Sequence, residues 1–204
     1  MKYLPLLIVF VVVALTAIMS WRFLAERGAV SSITESPMNT EGLEKAYFAG
    51  GCFWGVEYQL GLLEGVREVR SGYMGGTTEN PTYQDVSSGT TGYAETVEVL
   101  FNSEQIAFRD IAKRFFEIHD PTELDRQGPD IGPQYRSSVF YVSEEQKRTT
   151  EELVGILRDR GYDVQTEIVP AGIFYTAEDY HQGYYEKSGG TPYCHTPVDR
   201  FGDS

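Results

Sequence analysis

The first apolar stretch of the chain has no period at all. Leu4 to Trp21, LPLLIVFVVVALTAIMSW, is uncharged from end to end. As a helix at ~1.5 Å per residue it would reach roughly 27 Å, close to the ~30 Å of a bilayer core. A helix buried in a soluble core would carry a polar face, and this one has none. Two readings stay open. One is an uncleaved anchor over residues 1–21, favoured by the length and by the lack of a clean small-x-small site before Arg22. The other is a cleaved signal peptide. Either exports the remainder of the chain, in its usual orientation, although Lys2 before the run and Arg22 and Arg27 after it do not fix the direction. Residues 22–44 sustain no period and are frequent in Ser, Thr, Pro and Gly, which predicts a tether.

From Lys45 onward the patterns become those of a globular domain, residues 45–204. Lys45 to Ala49 reads as a short strand ending at Gly50-Gly51, and Val56, Leu60 and Leu63 then fall on one helical face. A strand is predicted over Gly65–Tyr73, and Tyr93–Phe101 alternates cleanly, with Val97, Val99 and Phe101 on one side. Phe108, Ile111, Ala112 and Phe115 form a helical stripe that stops at Asp120-Pro121. Ser137–Val142 reads as a strand. Ser143 with Gln146 predicts a capping box for a helix that ends at Gly161. Asp163–Val169 is a further strand, and Thr176 with Asp179 predicts a cap for a last short helix around Tyr180. Between Gly72 and Gly92 the apolar period lapses, which predicts a long loop of the kind that tends to carry function. The order of elements fits an α/β (α+β) fold: a two-layer sandwich with a mixed sheet and a long irregular C-terminal tail after Ser188.

Composition changes this picture little. The net charge of −13 repels phosphate backbones and argues against a nucleic-acid partner. Cysteine usage matters more, because there are only two, Cys52 and Cys194. Cys52 stands in GGCFWG, after a strand and a Gly-Gly turn, at the predicted start of a helix. Unpaired amides and the helix dipole favour negative charge there, so the position predicts a lowered pKa and a partly ionised thiol. The alternatives are a buried cysteine acting as a small hydrophobe, with Phe53 and Trp54 as core, or a structural Cys52–Cys194 disulfide in an exported protein.

Cys52 could serve acyl transfer if His119, His181 or His195 were its base, yet none of the three stands in a motif for that role. No C-x-x-C or H-x-x-x-H pair suggests a metal. Other polar groups gather around loops: Tyr83 in the long loop, Glu95 where a loop enters a strand, and Asp130 and Tyr135 in a glycine-punctuated loop. Each has a plain structural alternative, as a half-buried ring, a solvated carboxylate or a turn former.

Taken together, GCFWG (Gly51 to Gly55), NPTYQDV (Asn80 to Val86), SGTTGYAETVEV (Ser88 to Val99), HDPT (His119 to Thr122), RQGPDIGPQYRSS (Arg126 to Ser138) and AEDYHQGYY (Ala177 to Tyr185) resemble the A-type peptide methionine sulfoxide reductases. The resemblance covers roughly residues 45–195. It implies reduction of the S epimer of methionine sulfoxide, free or in proteins, with no cofactor. Cys52 would attack the sulfoxide sulfur, Glu95 would protonate its oxygen, and Tyr83 and Tyr135 would donate hydrogen bonds to that oxygen. Phe53 and Trp54 would pack against the S-methyl group, and Asp130 would support the polar side. Cys194 resembles the family's resolving cysteine, implying a Cys52–Cys194 disulfide recycled by a thioredoxin-like reductant. Pro192 stands where a glycine is usual before the Tyr-Cys pair, and Tyr93 where a histidine is frequent.

Overall fold

β3, Ala94–Asn102, organises the domain because every residue of it but the last is buried. A strand buried on both sides needs partners on both edges and cover on both faces. The computed structural model describes residues 42–202. The expected anchor over 1–21 lies outside the described residues, as does the tether up to its final residues. Among the described residues no helix is long and apolar enough to cross a membrane.

The elements run in the order β1 (Leu43–Gly50), α1 (Phe53–Gly61), β2 (Val66–Met74), α2 (Tyr83–Ser87), β3, α3 (Phe108–Ile118), β4 (Arg126–Gln127), β5 (Asp130–Ile131), a 3-10 turn (Pro133–Tyr135), β6 (Ser137–Tyr141), α4 (Glu144–Asp159), β7 (Glu167–Pro170), β8 (Tyr175–Thr176) and α5 (Tyr184–Ser188). Six strands form one sheet in the order β7-β6-β1-β3-β2-β8, and β4 pairs with β5 in a separate ribbon. All neighbours in the six-stranded sheet are antiparallel except β6 and β7, so the sheet is mixed as expected.

One face carries the main core. Ala46 and Phe48 of β1 meet Val97, Val99 and Phe101 of β3 and Val139 of β6. Onto these pack Val56 and Leu60 of α1, Phe115 of α3 and Leu153 and Leu157 of α4. The opposite face holds a smaller cluster of Tyr47, Ala49, Met74, Ala94 and Phe140, covered by Val169, Ala171 and Phe174. A buried carboxylate on that face, Glu98, is satisfied by Lys45 at 2.9 Å and by the Tyr47 hydroxyl at 2.7 Å.

Several expected boundaries move for local reasons. β1 starts at Leu43 and not at Lys45, because β3 extends to pair Asn102 with Leu43. The expected long loop is shortened by β2 running to Met74 and by α2, which Thr82 and Asp85 close with a reciprocal capping box. Ser143 caps α4, but Gln146 completes no box: its side chain accepts from the Val142 amide and donates to the Lys45 carbonyl. The last strand of the Asp163–Val169 segment begins only at Glu167. Thr176 caps no helix, since it belongs to β8, and the final helix starts at Tyr184 after a left-handed Gly183.

The antiparallel register decides where function lies. β1 ends at Gly50 opposite the first residue of β6, Ser137, and β3 begins beside the end of β2, with Glu95 opposite Tyr73. The end of β1 and the starts of β3 and β6 therefore share one edge of the sheet.

Phe48 sits at the centre of the main core, stacked on Phe108 at 5.9 Å and tilted against Phe115 at 4.9 Å. Phe48→Ala is expected to cost about 3–5 kcal/mol in urea unfolding, with the slope of the transition unchanged.

Candidate active site

At that edge the chain makes a tight exit from β1. Gly51 has φ +92, in the left-handed region, and an added Cβ would lie 2.7 Å from Gln127 Cβ and Cγ. Cys52 is then the N-cap of α1, its carbonyl accepting from the amides of Gly55 and Val56. Gly55 is required by packing: a Cβ there would lie 2.2 Å from Nδ1 of His195.

Two amides at the start of α1 point to two different acids. Phe53 N–H donates to Glu95 Oε2 at 3.0 Å, and the Trp54 amide faces the Cys52 sulfur. The expectation of a thiol ionised by the helix start is therefore corrected. Burial, and next the Glu95 carboxylate, push the Cys52 thiol up, and the Trp54 amide offsets only part of this. Glu95 is only 3% exposed. Its carboxyl is pushed up to about 8, by burial first and the Asp130 charge second, against the pull of the Phe53 amide. The resting site thus holds a protonated thiol beside a protonated acid at neutral pH.

Tyr83 and Tyr135 complete this side. Tyr83 is the first residue of α2 and Tyr135 ends the 3-10 turn, and their hydroxyls interact with each other. Burial and the neighbouring Glu95 charge raise both phenols, so both are proton donors. Asp130, in β5, lies close enough to Cys52, Glu95 and Cys194 to act on all three electrostatically. Its carboxylate accepts from the Tyr193 hydroxyl at 3.3 Å.

The two rings after Cys52 differ in exposure. Phe53 is 1% exposed and belongs to the main core, against Tyr73 and His181. Trp54 is partly exposed, stacked on Tyr184 with centroids 3.7 Å apart and planes 5° from parallel. Its indole N–H donates to His181 Nδ1 at 3.0 Å.

Cys194 arrives from the C-terminal tail. Both cysteines are free thiols, and each is half-buried. The tail is fastened by His195, fully buried, which bonds the Gly50 carbonyl through Nε2 at 2.9 Å. The structure thus brings together Cys52, Glu95, Tyr83, Tyr135, Asp130, Cys194, Phe53 and Trp54.

Three supporting groups lie outside the set of residues that the motifs assign to the site. Glu178 accepts from the Tyr83 amide at 2.9 Å and from the Tyr73 hydroxyl at 2.8 Å, which fixes the first turn of α2. His181 holds Trp54. Gln127 braces the Asp120 backbone with both ends of its amide and stands behind Gly51. All three lie in segments that carry the family resemblance, but a helical or loop pattern gives no sign of such long-range bonds. Among the described residues no histidine hydrogen-bonds Cys52. His119 is spent between the Phe115 carbonyl and Ser137.

Comparison with known proteins gives the chain its relatives. The family model described as "Peptide methionine sulfoxide reductase" matches residues 44–203. A peptide methionine sulfoxide reductase MsrA of Deinococcus radiodurans is 46% identical over 187 residues, 86% of this chain and 90% of that protein. The crystal structure of Mxr1 from Saccharomyces cerevisiae in reduced form superposes with a TM-score of 0.73 at 32% identity, covering 78% of this chain and 94% of that one. The same yeast protein in complex with Trx2 gives a TM-score of 0.54 at 25% identity, covering 83% and 97%.

The raised carboxyl makes stability depend on pH. Between its ordinary value of 4.5 and about 8, the native state keeps the Glu95 proton while the unfolded chain has lost it. Stability therefore falls as pH rises through that window. Glu95→Gln removes the titration, so the variant is expected to gain on the wild type between pH 5 and pH 8.5, by on the order of a few kcal/mol. Glu57, raised to about 7 by burial, falls with the same sign in both proteins and cancels. Urea unfolding at the two pH values measures the gap, and a constant gap would mean that Glu95 titrates normally.

Proposed function

The chain belongs to the peptide methionine sulfoxide reductases and is an oxidoreductase, and on that premise we propose that Cys52 reduces the S epimer of methionine sulfoxide. The observation that carries this reading is the facing of Cys52 by Glu95 together with Tyr83 and Tyr135 at one sheet edge. A sulfoxide must lose oxygen, so its reduction needs proton donors around that oxygen. A donor that has given up its proton can then take the one on the thiol, with no histidine required as base. The site has donors there: a protonated carboxyl and two phenols.

The sulfoxide oxygen sits among Glu95, Tyr83 and Tyr135, with the S-methyl group against Trp54 and the edge of Phe53. Proton donation from Glu95 places positive charge on the substrate sulfur. That charge favours the anionic form of Cys52, whose proton passes to the Glu95 carboxylate as the sulfur attacks. The oxygen and its proton transfer to Cys52, the bond from oxygen to the methionine sulfur breaks, and methionine leaves a sulfenic acid behind. Cys194 then condenses with the sulfenic acid to give a disulfide and water. A thioredoxin-like donor reduces the bridge by thiol exchange. Asp130 holds Tyr193 and, through it, the tail that carries Cys194.

The assay is turnover of methionine S-sulfoxide by the domain from about residue 42 with dithiothreitol, reading methionine formed. Cys52→Ser is expected to be inactive. Cys194→Ser retains turnover with dithiothreitol and loses it with a thioredoxin-like donor. Glu95→Gln slows oxygen transfer about 100-fold or more. A wild-type domain without turnover would overturn the reading.

Residues 1–21 act as an uncleaved anchor, by the length of the uncharged run, which in the usual orientation of such segments holds the domain outside the cytoplasm. The full chain is expected in the membrane fraction after an alkaline wash, with its original N-terminus on sequencing. A soluble mature chain starting near Arg22 would replace the anchor with a signal peptide.

A further inference from the structure

His195 is the residue after Cys194, and both of its ring nitrogens are committed. Nε2 is 2.9 Å from the Gly50 carbonyl oxygen, and Nδ1 is 3.0 Å from the Cys194 sulfur. A carbonyl only accepts, so the Nε2 nitrogen carries the proton and donates it. In the neutral ring that leaves Nδ1 as a lone-pair acceptor, and the group in front of it is the Cys194 thiol. The ring cannot turn away, because it is fully buried, lies against Gly55 and Gly51, and is bonded to the Gly50 carbonyl.

We propose that His195 is the general base of the resolving step, taking the Cys194 proton through Nδ1 as that sulfur attacks the sulfenic acid on Cys52. This rests on Cys194 being the resolving thiol. The step balances without any further reactant. Cys194 S–H gives its proton to Nδ1, and its sulfur forms the bond to the Cys52 sulfur. The sulfur–oxygen bond of the sulfenic acid breaks, and the departing hydroxide takes the proton from the imidazolium and leaves as water. The Cys194 sulfur is oxidised and the Cys52 sulfur is reduced to the disulfide level. While the ring is charged, its Nε2–H bond to the Gly50 carbonyl strengthens.

The resolving thiol needs such help. Burial, and then the Asp130 charge, push Cys194 up to about 11, so almost none is ionised at neutral pH. Burial keeps His195 neutral and hence able to accept. The titratable groups facing the ring are Cys194 on its own segment, Asp130 of β5 and His119 at the end of α3. Asp130 is the other base near Cys194, but its carboxylate is engaged by the Tyr193 hydroxyl.

The test is a single turnover of the enzyme with methionine S-sulfoxide and no reductant, quenched at intervals. Sulfenic acid is trapped with dimedone and the Cys52–Cys194 bridge is followed by peptide mass mapping. In the wild type the bridge is expected to form at a rate flat between pH 6 and pH 9, because neutral His195 supplies the base throughout. In His195→Gln the amide can keep the bond to Gly50 without a base at Nδ1. Trappable sulfenic acid should accumulate, and bridge formation at pH 7 should slow about 100-fold and climb tenfold per pH unit. Bridge formation within threefold of wild type in that variant would overturn the role of His195. A wild-type rate that itself climbs tenfold per pH unit would overturn it too, and needs no variant to fold. Absence of a bridge in the wild type would instead overturn Cys194 as the resolving thiol.

Discussion

The hydrogen bond from the Phe53 amide to Glu95 holds the site together. It joins the start of α1 to the start of β3, two elements that share no sequence neighbourhood, and it is the one backbone donor given to a carboxyl that is otherwise buried. A single neutral donor is too little to keep a buried carboxylate ionised, so the proton stays on at neutral pH. Burial likewise keeps Cys52 from ionising, and a charge on Glu95 would raise that cost further. Cys52 and Glu95 thus both rest uncharged, and in the proposed reaction Cys52 becomes nucleophilic when a substrate oxygen takes the proton from Glu95.

Around this bond the chain has little freedom. Gly51 must adopt a left-handed turn to bring Cys52 to the helix start, and Gly55 must lack a side chain for His195 to lie beneath it. The tail is therefore keyed to the nucleophile loop from below, through a ring that replaces the missing Cβ atoms. His119 presses on Gly50 from the other side, 3.1 Å from where a Cβ would stand. Three of the glycines around the nucleophile are thus explained by close approach as much as by turning.

Much of this is legible in the sequence. The alternation of Val97, Val99 and Phe101 in β3 and the spacing of Ile111, Ala112 and Phe115 in α3 mark the main core face, while the burial of the other face of β3 leaves no alternation to read. The thiol at a strand-to-helix turn points to chemistry, and the six motif segments point to its kind. What does not show is whatever depends on contacts across the sheet edge. The helix start at Cys52 is legible while its electrostatics are not, since the dipole argument omits a carboxyl delivered from β3. Thr176 looks like a helix cap because its spacing to Asp179 is right, yet pairing of β8 with Gly72 and Tyr73 takes that residue into the sheet. His195 is legible only as one of three histidines that could serve Cys52; nothing in its spacing pairs it with Cys194.

The two thiols differ in what stands next to them, and that difference orders the reaction. Cys52 is beside an acid and proton-donating phenols, so it suits a step in which oxygen must be protonated to leave methionine. Cys194 is beside a neutral imidazole, so it suits a step in which a sulfur must lose a proton to attack. Exchanging the two partners would leave each step short of the proton transfer it requires. If both thiols instead met the acid alone, the resolving thiol at about 11 would ionise to roughly one part in ten thousand at pH 7. The sulfenic acid would then stay exposed to further oxidation for as long as that fraction took to react. Placing the base on the tail, locked under Gly55, lets the second thiol act quickly without raising the ionisation of the first.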